Sequence, residues 1–545
     1  LREQKVISFD CQTTAANPFN GHLLEIAWAV VSADEIQRKS EPEVHSFFLS
    51  LPEGEKIPSR ISRMTGITDE MLKGSIPPYE AWQLIRSAFE GGIPVAHFAQ
   101  FEQRWIDNLY SLHSSDDSAP QILCTREIAR RLYPGLPRKG LRAVSGYLGY
   151  SMPEEKRAAA HVRANIAIWK KMVDDLDDSG ITTIEQLMEF LKEPPPIHNT
   201  GWNYPMPRNR RLSLPDVPGV YRFLSKCGEV LYVGKASSLR SRVNSYFTKR
   251  KADGKTLELV SQVYDVSIDQ CETPLEAALL EFETIRELHP PYNLALKNPC
   301  RKVVFLESDL SSCSYCPGPE FSIGPVPENS SALLLNDLLI SLFERTVQDP
   351  DALGLDYLPV EDGALEEGFS CFREEYFPHG SMSMEAFLSV GKRVWLRRHD
   401  EEDIPEDHEH EAVEVINSEK VKKHLEWLVS TGSRDIRQAA WFCLLGWSVI
   451  EWNPLMKNRT RSLKIEAGRT VFSEWALCST PGKLALPDLS RLDRQFQIDS
   501  RCFTLLKILN IELRRISVSG ALKQIYVRGN YPLVRQKVSG LFRFI

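Results

Sequence analysis

Two short runs of strand-forming residues, 219–224 and 229–234, stand four residues apart, and the spacer Ser225-Lys226-Cys227-Gly228 ends in glycine. This pattern predicts a β-hairpin. It constrains the chain more tightly than any other stretch, because a side chain on one strand must then face its counterpart on the next. If Leu224 pairs with Glu229, Tyr221 falls opposite Tyr232 with Cβ atoms about 5 Å apart. Alone, such a pair reads as cross-strand aromatic packing. The next segment, 236–247, carries Leu239, Val243 and Phe247 at helical spacing. At about 100° per residue, Lys235, Arg242 and Tyr246 fall within about 40° of one another beside that stripe. Two cations and a phenol are thus expected on one helix face, beside two phenols on the hairpin. Cations that served solubility alone would be spread over the exposed side.

A second helix is expected over 273–288, which opens with Thr273, Pro274 and Glu276 in a capping-box arrangement. Leu275, Ala278, Leu279, Phe282 and Ile285 form its apolar stripe, while Glu276, Glu283 and Glu287 cluster opposite. Glu281 projects about 40° from Ile285, at the edge of the stripe. A carboxylate half sunk against a core needs a partner, and a divalent metal or a nearby arginine would serve.

The surrounding charge suits a polyanion. The chain has 545 residues and a formal net charge of −7, yet residues 205–255 hold twelve Lys or Arg against three Asp or Glu. Nucleic acid is attracted by a local patch, not by the average. The length allows three or four domains. No run of about 18 apolar residues and no signal-peptide order is present, so a soluble, cytoplasmic protein without membrane partners is expected. Eleven scattered cysteines read as reduced thiols.

The order Gly219-Val220-Tyr221, Tyr232-Val233-Gly234-Lys235, Arg242, Tyr246, Glu281 and Pro290-Pro291-Tyr292-Asn293 resembles the GIY-YIG nuclease domain, in the form found in bacterial excinuclease C and its shorter homologue Cho. Glu283 departs from the Asn usual there. The resemblance implies a metal-dependent DNA endonuclease making a single-strand incision in nucleotide-excision-type repair. Glu281 would hold one Mg²⁺ or Mn²⁺. Tyr221 or Tyr232 would be the general base, its phenolate favoured by Lys235 and Arg242. Arg242 would also offset transition-state charge, Tyr246 would orient phosphate or water, and Asn293 would tie the helix end to the sheet. The implied partners are DNA and excision-repair damage-recognition proteins.

Residues 6–9 and 23–31 read as strands, and 81–89 and 158–176 as helices, which makes 1–176 an α/β domain. The pieces Phe9-Asp10-Cys11-Gln12, Leu24-Glu25-Ile26-Ala27, Thr65-Gly66-Ile67, Val95-Ala96-His97 and His161 resemble the DnaQ-like (DEDDh) exonucleases of the RNase H-like fold. That family holds two metals with four carboxylates. Here Asp10 remains, but Gln12, Glu102 and Ile166 occupy the other ligand positions, Phe98 stands where Asn is usual, and His161 is the remaining candidate base. The implied domain is catalytically silent. A 3′–5′ exonuclease and a non-catalytic DNA-binding scaffold are the competing readings.

The expected organisation is therefore multidomain α/β and α+β: 1–176 exonuclease fold, 177–212 linker with a short helix and a Pro-rich stretch, 213–300 GIY-YIG domain, and 301–545 a folded C-terminal region of unassigned role. In that region 318–344 looks similar to the stretch after the nuclease domain in excinuclease C, and 486–516 reads as helical. The acidic run 400–411, including His408-Glu409-His410, reads as a solvated loop. Cys313 and Cys316, with Cys300 nearby, lack a second ligand pair, so zinc is not expected. No helix-hairpin-helix glycine pattern and no second nuclease signature is seen.

Overall fold

In the computed structural model, residues 1–293 are described apart from 39–41, 114–117, 154–156, 197–200 and 249–252. Beyond them the description covers much of 302–533, without 401–416, 478–499 and several shorter stretches. The acidic run from 401 on, its two histidines and Cys300 lie outside the described residues. The chain divides into two compact units, Leu1–Leu294 and Ala295–Ile545.

The first unit opens with a five-stranded sheet, order β3-β2-β1-β4-β5, built from β1 (Val6–Thr13), β2 (Leu23–Val31), β3 (His45–Phe48), β4 (Ile93–Ala96) and β5 (Leu123–Cys124). β1 runs antiparallel to β2, with Asp10 opposite Ala27, and parallel to β4. It is central and covered on both faces, which is why residues 6–9 are all buried and apolar except Ser8. Helices α1 (Ala33–Arg38), α2 (Ser59–Thr65), α3 (Pro78–Phe89), α4 (Gln100–His113), α5 (Thr125–Leu132), α6 (Leu141–Leu148) and α7 (Ala158–Asp178) surround it. α3 and α4 pack Trp82, Ile85, Trp105 and Ile106 onto Ile7 and Phe9. α7 packs Val162, Ile166 and Trp169 with Val6, Ala27 and Ala29.

Helix α8 (Ile184–Lys192) is not part of a linker. Thr183 caps it in a full capping box with Gln186, and Leu187 is fully buried in the same core as Trp169. The amphipathic spacing of Ile184, Leu187 and Leu191 gives it a face to bury. At the other end, α9 (Arg208–Leu212) is flanked by Met206 and Leu214, which enter the core of the next domain. The connection between the domains thus shrinks to the stretch around Pro194-Pro195-Pro196.

That next domain is a three-stranded antiparallel sheet, order β7-β6-β8, of β6 (Gly219–Leu224), β7 (Val230–Ala236) and β8 (Asp265–Gln270), with α10 (Leu239–Thr248), α11 (Gly254–Val260) and α12 (Pro274–Leu288). The hairpin forms, but its register differs from the expected one. Tyr221 pairs with Gly234 and Tyr232 with Phe223, with an irregularity between Phe223 and Leu224. A shift by two residues preserves the face, so both phenols still point the same way, diagonally.

The second unit begins with an antiparallel sheet of Val303–Leu306, Cys313–Ser314 and Ile323–Pro327. Helices Leu335–Glu344, Ala364–Tyr376, Met384–Asp400 and Ser418–Leu445 share with it a core containing Leu335, Phe369, Phe372, Phe387 and Leu425. A larger antiparallel sheet follows, led by Trp447–Trp452 and Arg459–Glu466, with the helix Ser500–Val518. Among the described residues no helix is long and apolar enough to cross a membrane.

Candidate active site

The small domain brings three phenols into a triangle. The ring centroids of Tyr221, Tyr232 and Tyr246 are each 6.1 Å from the other two, and the Tyr221 and Tyr246 hydroxyls are hydrogen-bonded at 2.9 Å. Tyr246 and Arg242 come from one face of α10, whose apolar face buries Leu239, Val243 and Phe247. The Arg242 guanidinium lies 5.2 Å from the Tyr246 ring centre and donates to its hydroxyl at 3.4 Å.

Lys235 is not on that helix. The strand continues through Ala236, which pairs with Gly219, and the helix starts only after Ser238, whose hydroxyl accepts from the Ser241 amide at 3.2 Å. The expected helical face therefore holds Arg242 and Tyr246, while Lys235 comes from the end of β7. This placement gives Lys235 a second role: its backbone N–H donates to Glu281 Oε1 at 2.9 Å. Glu281, half-buried on α12, thus faces the hairpin beside Tyr232. Thr273 caps that helix by accepting from the Glu276 amide. The Glu276 carboxylate accepts from Glu272 instead of closing the expected box.

Asn293 clamps the same strand. Its Oδ1 accepts from Val233 N at 2.8 Å, and its Nδ2 donates to Val233 O at 2.7 Å. Two glycines that carried no role in the sequence reading are steric necessities here. A Cβ on Gly234 would lie 2.4 Å from Tyr221 Oη and 2.9 Å from Tyr232 Cε1, and one on Gly219 would lie 2.3 Å from the Asp269 carbonyl oxygen. A glycine between aromatics inside a strand run was the available signal.

The phenols are not poised as phenolates by their cations. Burial pushes Tyr221 well above the ordinary tyrosine range, and Tyr246 and Tyr232 add to this; Arg242 acts against it more weakly. Tyr232 is raised by burial, then by Tyr246 and Glu281. The expectation that Lys235 and Arg242 prevail is overturned, because desolvation of a charged phenolate exceeds the pull of an exposed guanidinium. The two rings differ in access: Tyr221 is fully buried, whereas Tyr232 is half-buried.

The larger domain carries a cleft of about 920 Å³ bordered by Asp10, Gln12, Phe98, Glu102, Arg126 and His161 among others. Its Asp10 is engaged and its Glu102 is buried. Asp10 Oδ1 is 3.1 Å from His161 Nδ1, and Asp10 Oδ2 accepts from Gln12 Nε2 at 3.0 Å. Glu102 is 4% exposed, with Oε2 lacking a hydrogen-bond partner. Burial and then Asp10 push its carboxyl well above the usual range. Ile166 points into the core at 2% exposure. Glu25 is fully buried and serves structure, pairing with Arg157 at 2.9 Å and accepting from the first amide of α7 at 3.1 Å. This donor set does not fit a pair of divalent cations, since Gln12 and Ile166 supply no carboxylate, Glu25 is tied to Arg157 and Asp10 is already paired. Phe98 sits at φ 71°, a region that suits Asn better than a bulky residue, and packs under Arg126 at 4.8 Å.

Residues 217–294 match the UvrC-like GIY-YIG domain and residues 7–168 match the exonuclease family. The chain joins an exonuclease domain to a UvrC-like GIY-YIG domain in one polypeptide. A Mycobacterium tuberculosis protein named as a bifunctional exonuclease/endonuclease is 31% identical over 248 residues, which are 45% of this chain and 37% of that protein. The UvrABC system protein C of a Psychrobacter species is 47% identical over 97 residues, 18% of this chain and 16% of that one. The chain thus spans well under half the length of these relatives. The solved GIY-YIG N-terminal endonuclease domain of UvrC from Thermotoga maritima, described as bound to its catalytic divalent cation magnesium, is 31% identical with a TM-score of 0.15, covering 16% of this chain and 94% of that one.

Proposed function

We propose that this chain is a divalent-metal-dependent DNA endonuclease that hydrolyses one phosphodiester per event through Tyr221, Tyr232, Lys235, Arg242, Tyr246, Glu281 and Asn293. The observation that carries the reading is the convergence of Glu281, held by the Lys235 amide, on the strand bearing Tyr232, within a group of three phenols and one guanidinium. A single half-buried carboxylate offers hard oxygen, which suits one Mg²⁺ or Mn²⁺ whose other ligands are water and phosphate oxygens. Such an ion, when bound, makes water more acidic and offsets phosphate charge.

The chain's own groups then divide the work. Tyr232, the more accessible of the two hairpin phenols, takes the proton from the attacking water after giving its own to solvent; the water oxygen bonds to phosphorus as the bond to the leaving sugar oxygen breaks, and that sugar oxygen takes up a proton from solvent. Because burial keeps Tyr232 protonated in the free protein, the base form is reached only when cationic charge accumulates beside it. Arg242 faces solvent, where it meets the phosphate and offsets the charge that grows in the transition state. Tyr246 fixes Tyr221 and borders the phosphate. Asn293 and Gly234 keep β7 and the rings in place.

The exonuclease domain contributes no cutting in this reading: the Asp10 oxygens are taken by His161 and Gln12, no carboxylate stands at position 12, and Ile166 is core. The substrate we assign is one strand of DNA in nucleotide-excision-type repair, with damage-recognition proteins as partners. The test is nicking of closed-circular DNA with and without Mg²⁺ by the parent and Glu281→Gln. Metal-dependent nicking lost in the variant is expected, and equal nicking by both would refute the assignment.

A further inference from the structure

The two domains of the first unit are joined by a buried polar chain that ends at the nuclease site. On the exonuclease side, Gly146 of α6 lies directly under Gln262, so closely that a Cβ there would be 2.3 Å from Gln262 Oε1 and 2.7 Å from its Cβ. Gln262, 3% exposed, donates to the Tyr292 hydroxyl at 2.6 Å. Tyr292, 7% exposed, donates in turn to Glu258 Oε1 at 2.8 Å, and Glu258 borders the exonuclease cleft beside Arg138 and Lys139. The Tyr292 backbone N–H donates to Leu231 O at 3.1 Å. The next residue is Asn293, whose amide holds both polar groups of Val233. Tyr232 and Gly234 flank Val233, and Lys235 follows on the same strand.

We infer that Tyr292 is a positioning residue for the nuclease centre, and that the exonuclease domain, through Gly146, Gln262 and Glu258, acts as the support that keeps the Asn293 clamp closed on β7. Several features favour this over plain packing. Tyr292 makes two hydroxyl hydrogen bonds at once, one given and one received, so its ring can neither slide nor turn without leaving a buried polar atom unpaired. Burial and Glu258 hold its phenol protonated and so available as a donor. The docking surface is specific: besides the Gly146 contact, Arg138 N donates to Ser261 Oγ at 3.2 Å and the Tyr147 and Tyr264 rings stack at 6.4 Å. An isolated contact would permit rocking, whereas these hold α11 and the Tyr292 turn in one orientation.

The inference rests on the proposed nuclease reading for its effect on turnover, but the clamp can be read without it. In the full chain, hydrogen exchange at the Val233 amide reports whether Asn293 stays engaged. Tyr292→Phe removes one hydroxyl, and Gly146→Ala drives a methyl into Gln262 from the opposite domain. Each is expected to raise exchange at Val233 and lower kcat by about ten-fold, the size of one net buried hydrogen bond, with KM within two-fold. Glu258→Gln, which keeps an acceptor for Tyr292, is expected to retain protection and kcat, while Glu258→Ala loses both.

Parent-like exchange at Val233 in both Tyr292→Phe and Gly146→Ala overturns the inference. So does a fall in melting temperature that leaves kcat of the folded protein and exchange at Val233 unchanged. Should Gly146→Ala not fold, Tyr292→Phe with the Glu258 pair decides. Failure of the nuclease reading is distinguishable, because there Glu281→Gln would nick like the parent whatever the clamp does.

Discussion

Gly234→Ala is the sharpest test of whether the phenol triangle is the working part of the site. The added methyl would start 2.4 Å from Tyr221 Oη, 2.5 Å from Tyr221 Cζ and 2.9 Å from Tyr232 Cε1. Ordinary contact needs about 3.4 Å or more, so the Tyr221 ring must retreat by about 1 Å. It has nowhere to go: it is fully buried, with Phe223 at 5.1 Å and Tyr246 at 6.1 Å between ring centres. Overpacking of this kind costs about 1–3 kcal/mol, and a shift of about 1 Å in a catalytic group costs about 100-fold in rate. The fold should survive, because β7 keeps its pairing with β6 and the Asn293 clamp lies on the opposite edge of the change. Nicking of closed-circular DNA should therefore fall about 100-fold, while the melting temperature drops by only a few degrees. A variant that keeps its rate within about three-fold of the parent would refute the claim that these rings act as a positioned set.

Three further outcomes follow from single contacts. Asn293→Ala leaves the buried N–H and C=O of Val233 unpaired and should destabilise the first unit by about 2–4 kcal/mol, read by thermal unfolding; a change below about 0.5 kcal/mol would remove the clamp from the account. Phe98→Asn relieves a left-handed backbone that costs a bulky residue about 1–2 kcal/mol and gives up an exposed cation–π contact of about 0.5–1 kcal/mol, so the melting temperature should rise or hold, and a clear fall would show that the Arg126 contact dominates. With Tyr232 raised above its ordinary value in the free protein, the nicking rate should rise with pH from 7 to 9. A plateau in that range would point away from a phenol as base.

Much of the site was legible because it is local. The hairpin, the α10 stripe and the Thr273 cap follow from periods of two and 3.6 and from one capping residue, and those devices bring Tyr221, Tyr232, Arg242, Tyr246 and Glu281 to one place. What the sequence misjudged were matters of degree. The register slipped by two because the hairpin closes with Leu224 opposite Val230, one residue on, and the irregularity between Phe223 and Leu224 adds another, a choice no propensity distinguishes. Lys235 stayed on the strand because Ala236 still has a partner in Gly219. The phenol acidity was misjudged because the distance to two cations can be guessed from a helical wheel, whereas burial depends on the whole core. α8 was read as linker because its charged flanks hid one fully buried leucine.

The interface between the domains was not legible at all, and for a reason that bears on function. Gly146, Gln262 and Tyr292 are ordinary residues in their own segments, and only the docked fold makes a glycine in one domain the floor beneath a glutamine in the other. In the exonuclease domain Asp10 is paired with His161 and Gln12 and Ile166 lies in the core, yet the sheet and the α6 surface are fully formed. Retaining that surface makes sense if the fold now supports its neighbour. On that argument, Gln12→Glu, Glu102→Asp and Ile166→Asp would place carboxylates at positions 102 and 166, which are only 4% and 2% exposed. It would weaken the support more readily than it would create an exonuclease.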